Sequence, residues 1–269
     1  MLPYITLVFT LAGFTVWWAL LYFSPITTDL QKEYFSASYG LMALIGGLYG
    51  LMLSKRFGGI KSYLGLAVLF FSLGLLAQEF GQITYSYYSL VLGIEIPYPS
   101  LGDLGFAGSI ALYMLGVYYL ARACSINYLL ETAKSKVIFV LVPAVLLSFT
   151  YYVFLRGYEI DLTDPLTTLL DLGYPLGQSL YVSLGAVLFL LSGKYLGGLM
   201  KEKVLFILGA LLVQYLADFY FLFLVSREIF DTAGLSELIY LLAYFFMTFA
   251  LVRLESVFDS VGKMPEAHD

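Results

Sequence analysis

The sequence predicts an all-α polytopic membrane protein with eight transmembrane helices, and three observations carry that prediction. Hydrophobic residues make up 61% of the 269 and charged residues only 12%, about half the charged share of a soluble domain. The apolar residues gather in eight runs, each long enough to cross about 30 Å of hydrocarbon. The connections between these runs are short, so nearly the whole chain lies in a membrane or at its edge.

The first run, 4–23, has no basic residues ahead of it and reads as a span, not a cleavable signal. The second, 38–54, is short and contains Gly40, Gly46, Gly47 and Gly50, which suit close helix packing. The third, 62–86, carries Glu79. The fourth, 102–122, follows Pro97 and Pro99, residues that sit well just before a helix start. The fifth covers 136–155, and the sixth, 168–192, follows Pro165. The seventh, 203–225, carries Asp218, and the eighth is 234–252. No broken helix is expected among them. The polar stretch 253–269 is too short to fold as a domain and reads as a cytoplasmic tail, with no output module.

Basic residues set the orientation. Lys55, Arg56, Lys61, Arg122, Lys134, Lys136, Lys194, Lys201, Lys203, Arg253 and Lys263 share one side, eleven of the fourteen. Only Lys32, Arg156 and Arg227 lie on the other. Both termini are therefore predicted cytoplasmic, in the cell membrane. Thirteen of the nineteen acids lie on the outer side or in spans that open to it.

A net charge of −5 argues against a nucleic-acid partner. The single cysteine, Cys124, excludes an internal disulfide. The single histidine, His268, is the penultimate residue, so no histidine-held haem or zinc is expected in the spans. Neither a nucleophile–base pair nor a metal motif is apparent, so no cofactor and no enzyme are expected.

One pattern recurs. Asp103–Phe106, Asp171–Tyr174 and Glu237–Tyr240 each place an acid three residues before an aromatic, 68 and then 66 residues apart. The sequences GIEI (93–96), GYEI (157–160) and SREI (226–229) precede them. The spacing predicts a hairpin repeat, with copies in spans 3–4, 5–6 and 7–8. Each acid is expected in the first turn of its helix. There the free N–H groups and the dipole stabilise a carboxylate by about 0.3–1 kcal/mol. Capping alone could explain them; the sharper reading makes them the rim of an outward-facing mouth.

Glu79 and Asp218 resist a capping account. Each lies about seven residues inside its span, where a charge costs at least about 2.5–3.5 kcal/mol unless it faces a partner or a cavity. Gln78 and Gln82 flank Glu79, Gln214 lies one turn before Asp218, and Tyr85 stands just outward of Glu79. Interhelical hydrogen bonding, a pocket for a polar ligand or ion, and a proton path all remain open. The chain has 24 tyrosines, many on the outer side. Part of that is an interfacial belt, but carboxylates beside tyrosine faces could also hold a cationic or amphipathic ligand.

The later repeats resemble the multi-span N-terminal sensory region of bacterial membrane proteins that carry diguanylate cyclase and phosphodiesterase domains. Pro99, Ser100, Asp103 and Phe106 match its Pro-Ser-x-x-Asp-x-x-aromatic motif. Tyr174, Pro175, Leu176 and Gly177 match most of its Ala-Tyr-Pro-Leu-Gly-Asp motif, with Gln178 in place of the acid. Ala217 and Asp218 begin its Ala-Asp-x-x-Tyr motif, which ends here on Phe221. The resemblance covers roughly 97–252 and implies sensing, without the messenger chemistry of the absent domains.

The residues and the resemblance together point to a sensing or ligand-binding module that signals through a separate cytoplasmic or membrane partner protein. The expected site comprises Glu79, Asp218, Asp103, Asp171, Glu237, Gln82, Gln214 and Tyr85. The alternative is a proton- or cation-coupled transporter or channel that uses the intramembrane carboxylates.

Overall fold

A computed structural model describes residues 2–124, 131–192 and 199–261, and among these described residues nine α-helices build the eight spans. Lys194, Lys263 and His268 lie outside the described residues. The helices are α1 (Leu2–Phe23), α2 (Asp29–Ser38), α3 (Leu41–Arg56), α4 (Tyr63–Ser86) and α5 (Leu101–Ala123). They continue with α6 (Ala133–Thr150), α7 (Pro165–Ser192), α8 (Leu199–Ser226) and α9 (Leu235–Val261). Among the described residues there is no strand, and eight helical stretches are long and apolar enough to span a bilayer. The chain is a multi-pass membrane protein.

Local chemistry fixes the starts of these helices. Thr28 and Gln31 form a capping box at α2, and Ser62 accepts the Gly65 N–H at the start of α4. Ser100 and Asp103 close a second box at α5, and Thr132 caps α6. Asp164 accepts the Thr167 N–H at 3.2 Å, with Pro165 as the first residue of α7. The helix therefore begins three residues earlier than the apolar pattern suggests. This corrects the expected position of Asp171, which lies in the second turn and does not cap.

The larger correction is in span 2, which is broken. It runs from Asp29 to Arg56, but as two helices with Tyr39 and Gly40 between them. Tyr39 N–H bonds the Phe35 carbonyl; the next bond along is from Met42 N–H to the Tyr39 carbonyl, only three residues back. The N–H groups of Gly40 and Leu41 have no backbone acceptor among the described residues. The hydropathy pattern hid the break because α2, DLQKEYFSAS, is polar and reads as a loop. At the other end of the chain, α9 continues to Val261, well into the stretch read as tail.

Six helices close a ring in which each packs on its neighbour: α3 on α4, α4 on α5, α5 on α7, α7 on α8, α8 on α9, and α9 back on α3. α1 lies outside against α9 and α2, and α6 lies outside against α7. Both outer helices expose apolar side chains, among them Phe9, Leu20, Val140 and Val145, which meet the bilayer. Phe71, Leu75, Val117 and Ile207 are buried. Inside a bilayer, apolar burial gives little net drive to association, so close packing and hydrogen bonds hold the ring. Gly46 is one such contact: a methyl group there would meet Thr248 Oγ1 at 2.0 Å.

The ring has chemically different ends. α5, α7 and α9 all begin at one end, close to Asp103, Asp171 and Glu237. At the other end Arg56 and Tyr49 bond Glu255, and Arg253 bonds Glu202 at 2.6 Å.

Candidate functional site

Six of the eight residues singled out in the sequence are buried, and Tyr85 and Asp171 are half-buried. They fall into two groups.

The first group is at the acidic end. Asp103, 3% exposed, accepts from the Ser100 N–H at 2.8 Å and from the hydroxyls of Tyr85 at 3.0 Å and Tyr174 at 2.8 Å. It is both a cap and a junction between α4, α5 and α7. Asp171, on α7, accepts from Tyr98 at 2.7 Å and Tyr158 at 2.8 Å, tyrosines of the connections before α5 and before α7. Both phenols are held above the usual tyrosine range. For Tyr98 the main cause is burial, with Asp171 adding to it; for Tyr158 it is the hydrogen bond to Asp171.

The second group lies deeper. Asp218, 5% exposed, accepts from Tyr240 at 2.9 Å, Gln214 at 3.0 Å and Tyr181 at 3.1 Å, so it joins α7, α8 and α9. Gln78 accepts from Tyr244 at 3.1 Å and donates to Ser109 at 2.8 Å, joining α9, α4 and α5. Gln82 reaches the broken span: it accepts from Tyr39 at 3.1 Å and donates to the Ser36 carbonyl at 2.7 Å. Glu237, back at the acidic end in the first turn of α9, accepts from the Ser36 hydroxyl and from the Ala233 N–H at 2.7 Å. Ring contacts join these links into one body, with Tyr244 6.0 Å from both Tyr39 and Tyr240, and Tyr113 5.9 Å from Tyr181.

Glu79 differs from the other four acids. It is 4% exposed, and its Oε2 has no hydrogen-bond partner. That oxygen lies against Gly40, where a methyl group would approach it to 2.1 Å. Tyr113 and Tyr215 also have buried hydroxyls without a partner. No lysine, arginine or histidine is among the partners described for these five acids. Among the described residues no cluster of three or more acids, histidines or cysteines is placed to hold a metal ion.

The acid–aromatic motif works differently from its sequence pattern. Tyr174 bonds Asp103 rather than its own Asp171, and Tyr240 bonds Asp218 rather than its own Glu237. In both motifs the acid and the aromatic serve different junctions. Sequence reasoning missed Tyr39, Tyr181 and Tyr244 as members of the network. Tyr240 and Tyr174 were visible only as motif members, and Gln78 only as a neighbour of Glu79. A signal for the missing three was present: a tyrosine well inside an apolar helix needs a partner for its hydroxyl.

No family model, no curated protein and no solved structure matches the chain.

Proposed function

We propose that this chain is a membrane sensing module whose ring binds a small cationic ligand from the acidic end, taken as outward, and passes the binding event to a separate partner. One observation carries the reading. Five carboxyl groups on five helices converge on the ring interior and its acidic mouth, amid tyrosine rings and hydroxyls, with no basic side chain described among their partners. Carboxylates and aromatic faces together are the chemistry that recognises an organic ammonium ion. The motif likeness to bacterial sensory regions supports the same reading, and so does the basic orientation signal that places the acidic end outside. The signal would run along α3 and α9. These two helices meet the polar network near Tyr39 and Tyr244, and their far ends are tied through Arg56 and Glu255.

The break in span 2 favours a second reading. Discontinuous helices beside a buried acid are typical of ion-coupled transporters. Reconstituted protein separates the two. Saturable binding of tetramethylammonium or choline without flux, weakened about tenfold or more by Asp218→Asn, supports sensing. Gradient-driven uptake of the same probe overturns sensing in favour of transport. Absence of both binding and flux overturns the cationic-ligand reading.

A further inference from the structure

We propose that the Glu79 carboxyl, seated in the break of span 2, is a proton-binding site whose occupancy opens and closes the joint between α2 and α3. The inference rests on the sensing reading only for its consequence; its chemistry concerns the joint alone.

Two side chains one turn apart on α4 hold the joint. Gln82 donates to the Ser36 carbonyl, which in an unbroken helix would take the Gly40 N–H, and accepts the Tyr39 hydroxyl. Glu79 presses its Oε2 on Gly40 from the next turn. Only glycine allows this approach. The break thus places three unmatched groups together: the Gly40 and Leu41 N–H groups at the start of α3, and a carboxyl oxygen with no partner.

The size of the site selects the occupant. An oxygen that would come within 2.1 Å of a methyl on Gly40 leaves no space there for an organic group. No acid, histidine or cysteine cluster among the described residues offers a metal its ligands. A proton needs neither space nor additional ligands.

The groups that face this position supply no positive charge. They are Tyr39 from the joint, Gln82 from α4 and Tyr244 from α9, with no charged partner described for Glu79 on any packed element. With its proton, Glu79 is neutral and lies against Gly40 as described. Without it, the carboxylate is a buried charge, 4% exposed and with no basic partner described, and the donors on offer at the joint are the orphan N–H groups at the α3 start. To reach them it must rotate off Gly40, which disturbs the Gln82 clasp on Ser36. Protonation therefore closes the joint and ionisation opens it.

The test is hydrogen–deuterium exchange over residues 36–44 of the full chain in lipid nanodiscs, corrected for intrinsic rates. The range should run from about pH 4 to about pH 9, wide enough for a carboxyl at any depth. Wild type should exchange about tenfold faster above its step than below it. Glu79→Gln mimics the neutral acid and should stay protected throughout. Gly40→Ala, which displaces the carboxyl, should also lose the step, so the test does not hang on one variant's folding. A step that persists in Glu79→Gln overturns the proposal, as does a wild type without a step, or a step that follows sodium at fixed pH. Ammonium binding on the same samples reports on the sensing reading separately. A step without binding leaves the proton site standing, and binding without a step leaves the ligand site standing.

Discussion

Replacing Asp218 by leucine should destabilise the ring substantially, and the structure sets the scale. Three donors converge on this carboxylate at 2.9–3.1 Å, from Tyr240, Gln214 and Tyr181. Leucine removes every acceptor and leaves all three buried. Hydrogen bonds between membrane helices average about 0.6 kcal/mol, so the two that cross helices, from Tyr181 and Tyr240, give a lower figure of about 1 kcal/mol. If each orphaned donor instead costs about 2 kcal/mol, the loss reaches about 6. Asp218→Asn keeps one acceptor oxygen and should cost about 1–2 kcal/mol. Reversible denaturant unfolding in mixed micelles measures these differences. Tyr181→Phe and Tyr240→Phe should each cost less than leucine does, and should add little on top of it, because they remove donors already orphaned. A leucine variant as stable as wild type would overturn this assignment of stability to the Asp218 hydrogen bonds. It would mean that the desolvation of the acid outweighs its bonds, so that stability is not what Asp218 provides.

Other consequences are smaller or more local. Ser100→Ala opens the capping box at α5 and should lower stability by about 1 kcal/mol in the same assay. Gly40→Ala should be tolerated in expression, because the atom it strikes ends a flexible side chain, yet it should alter protease or exchange protection around 36–44. Tyr98 and Tyr158 are both held above the ordinary tyrosine range. Their contribution is therefore fully present below about pH 10, the unfolded value, and is lost as pH rises through their folded values. In ultraviolet titration Tyr98 and Tyr158 should be among the late-ionising tyrosines of wild type, and Asp171→Asn should bring Tyr158 back toward the ordinary range.

The sequence made the spans legible because hydropathy is set by composition over about twenty residues, the thickness of a bilayer. Seven of the eight helical stretches lie close to the predicted apolar runs, and the exception is instructive. α2 is polar enough to read as a loop, and its helicity comes from the Thr28–Gln31 capping box and from contacts to α4 that a hydropathy scan does not weigh. Asp171 was misplaced for a related reason: the apolar pattern starts after the helix does, at Pro165. For the polar network, the buried acids were legible because charge inside an apolar run is rare. Their partners were not. A tyrosine inside a span can serve lipid interface, packing or hydrogen bonding alike, and only the ring geometry brings Tyr181 and Tyr240 to Asp218.

Native mass spectrometry of the purified protein beside Asp218→Asn asks whether the acids and tyrosines of the ring hold a cation as proposed. A discrete small cationic mass should be bound to wild type and missing from the variant. A bare protein in both forms would overturn the cation-binding interior and leave Asp218 as a structural junction between three helices.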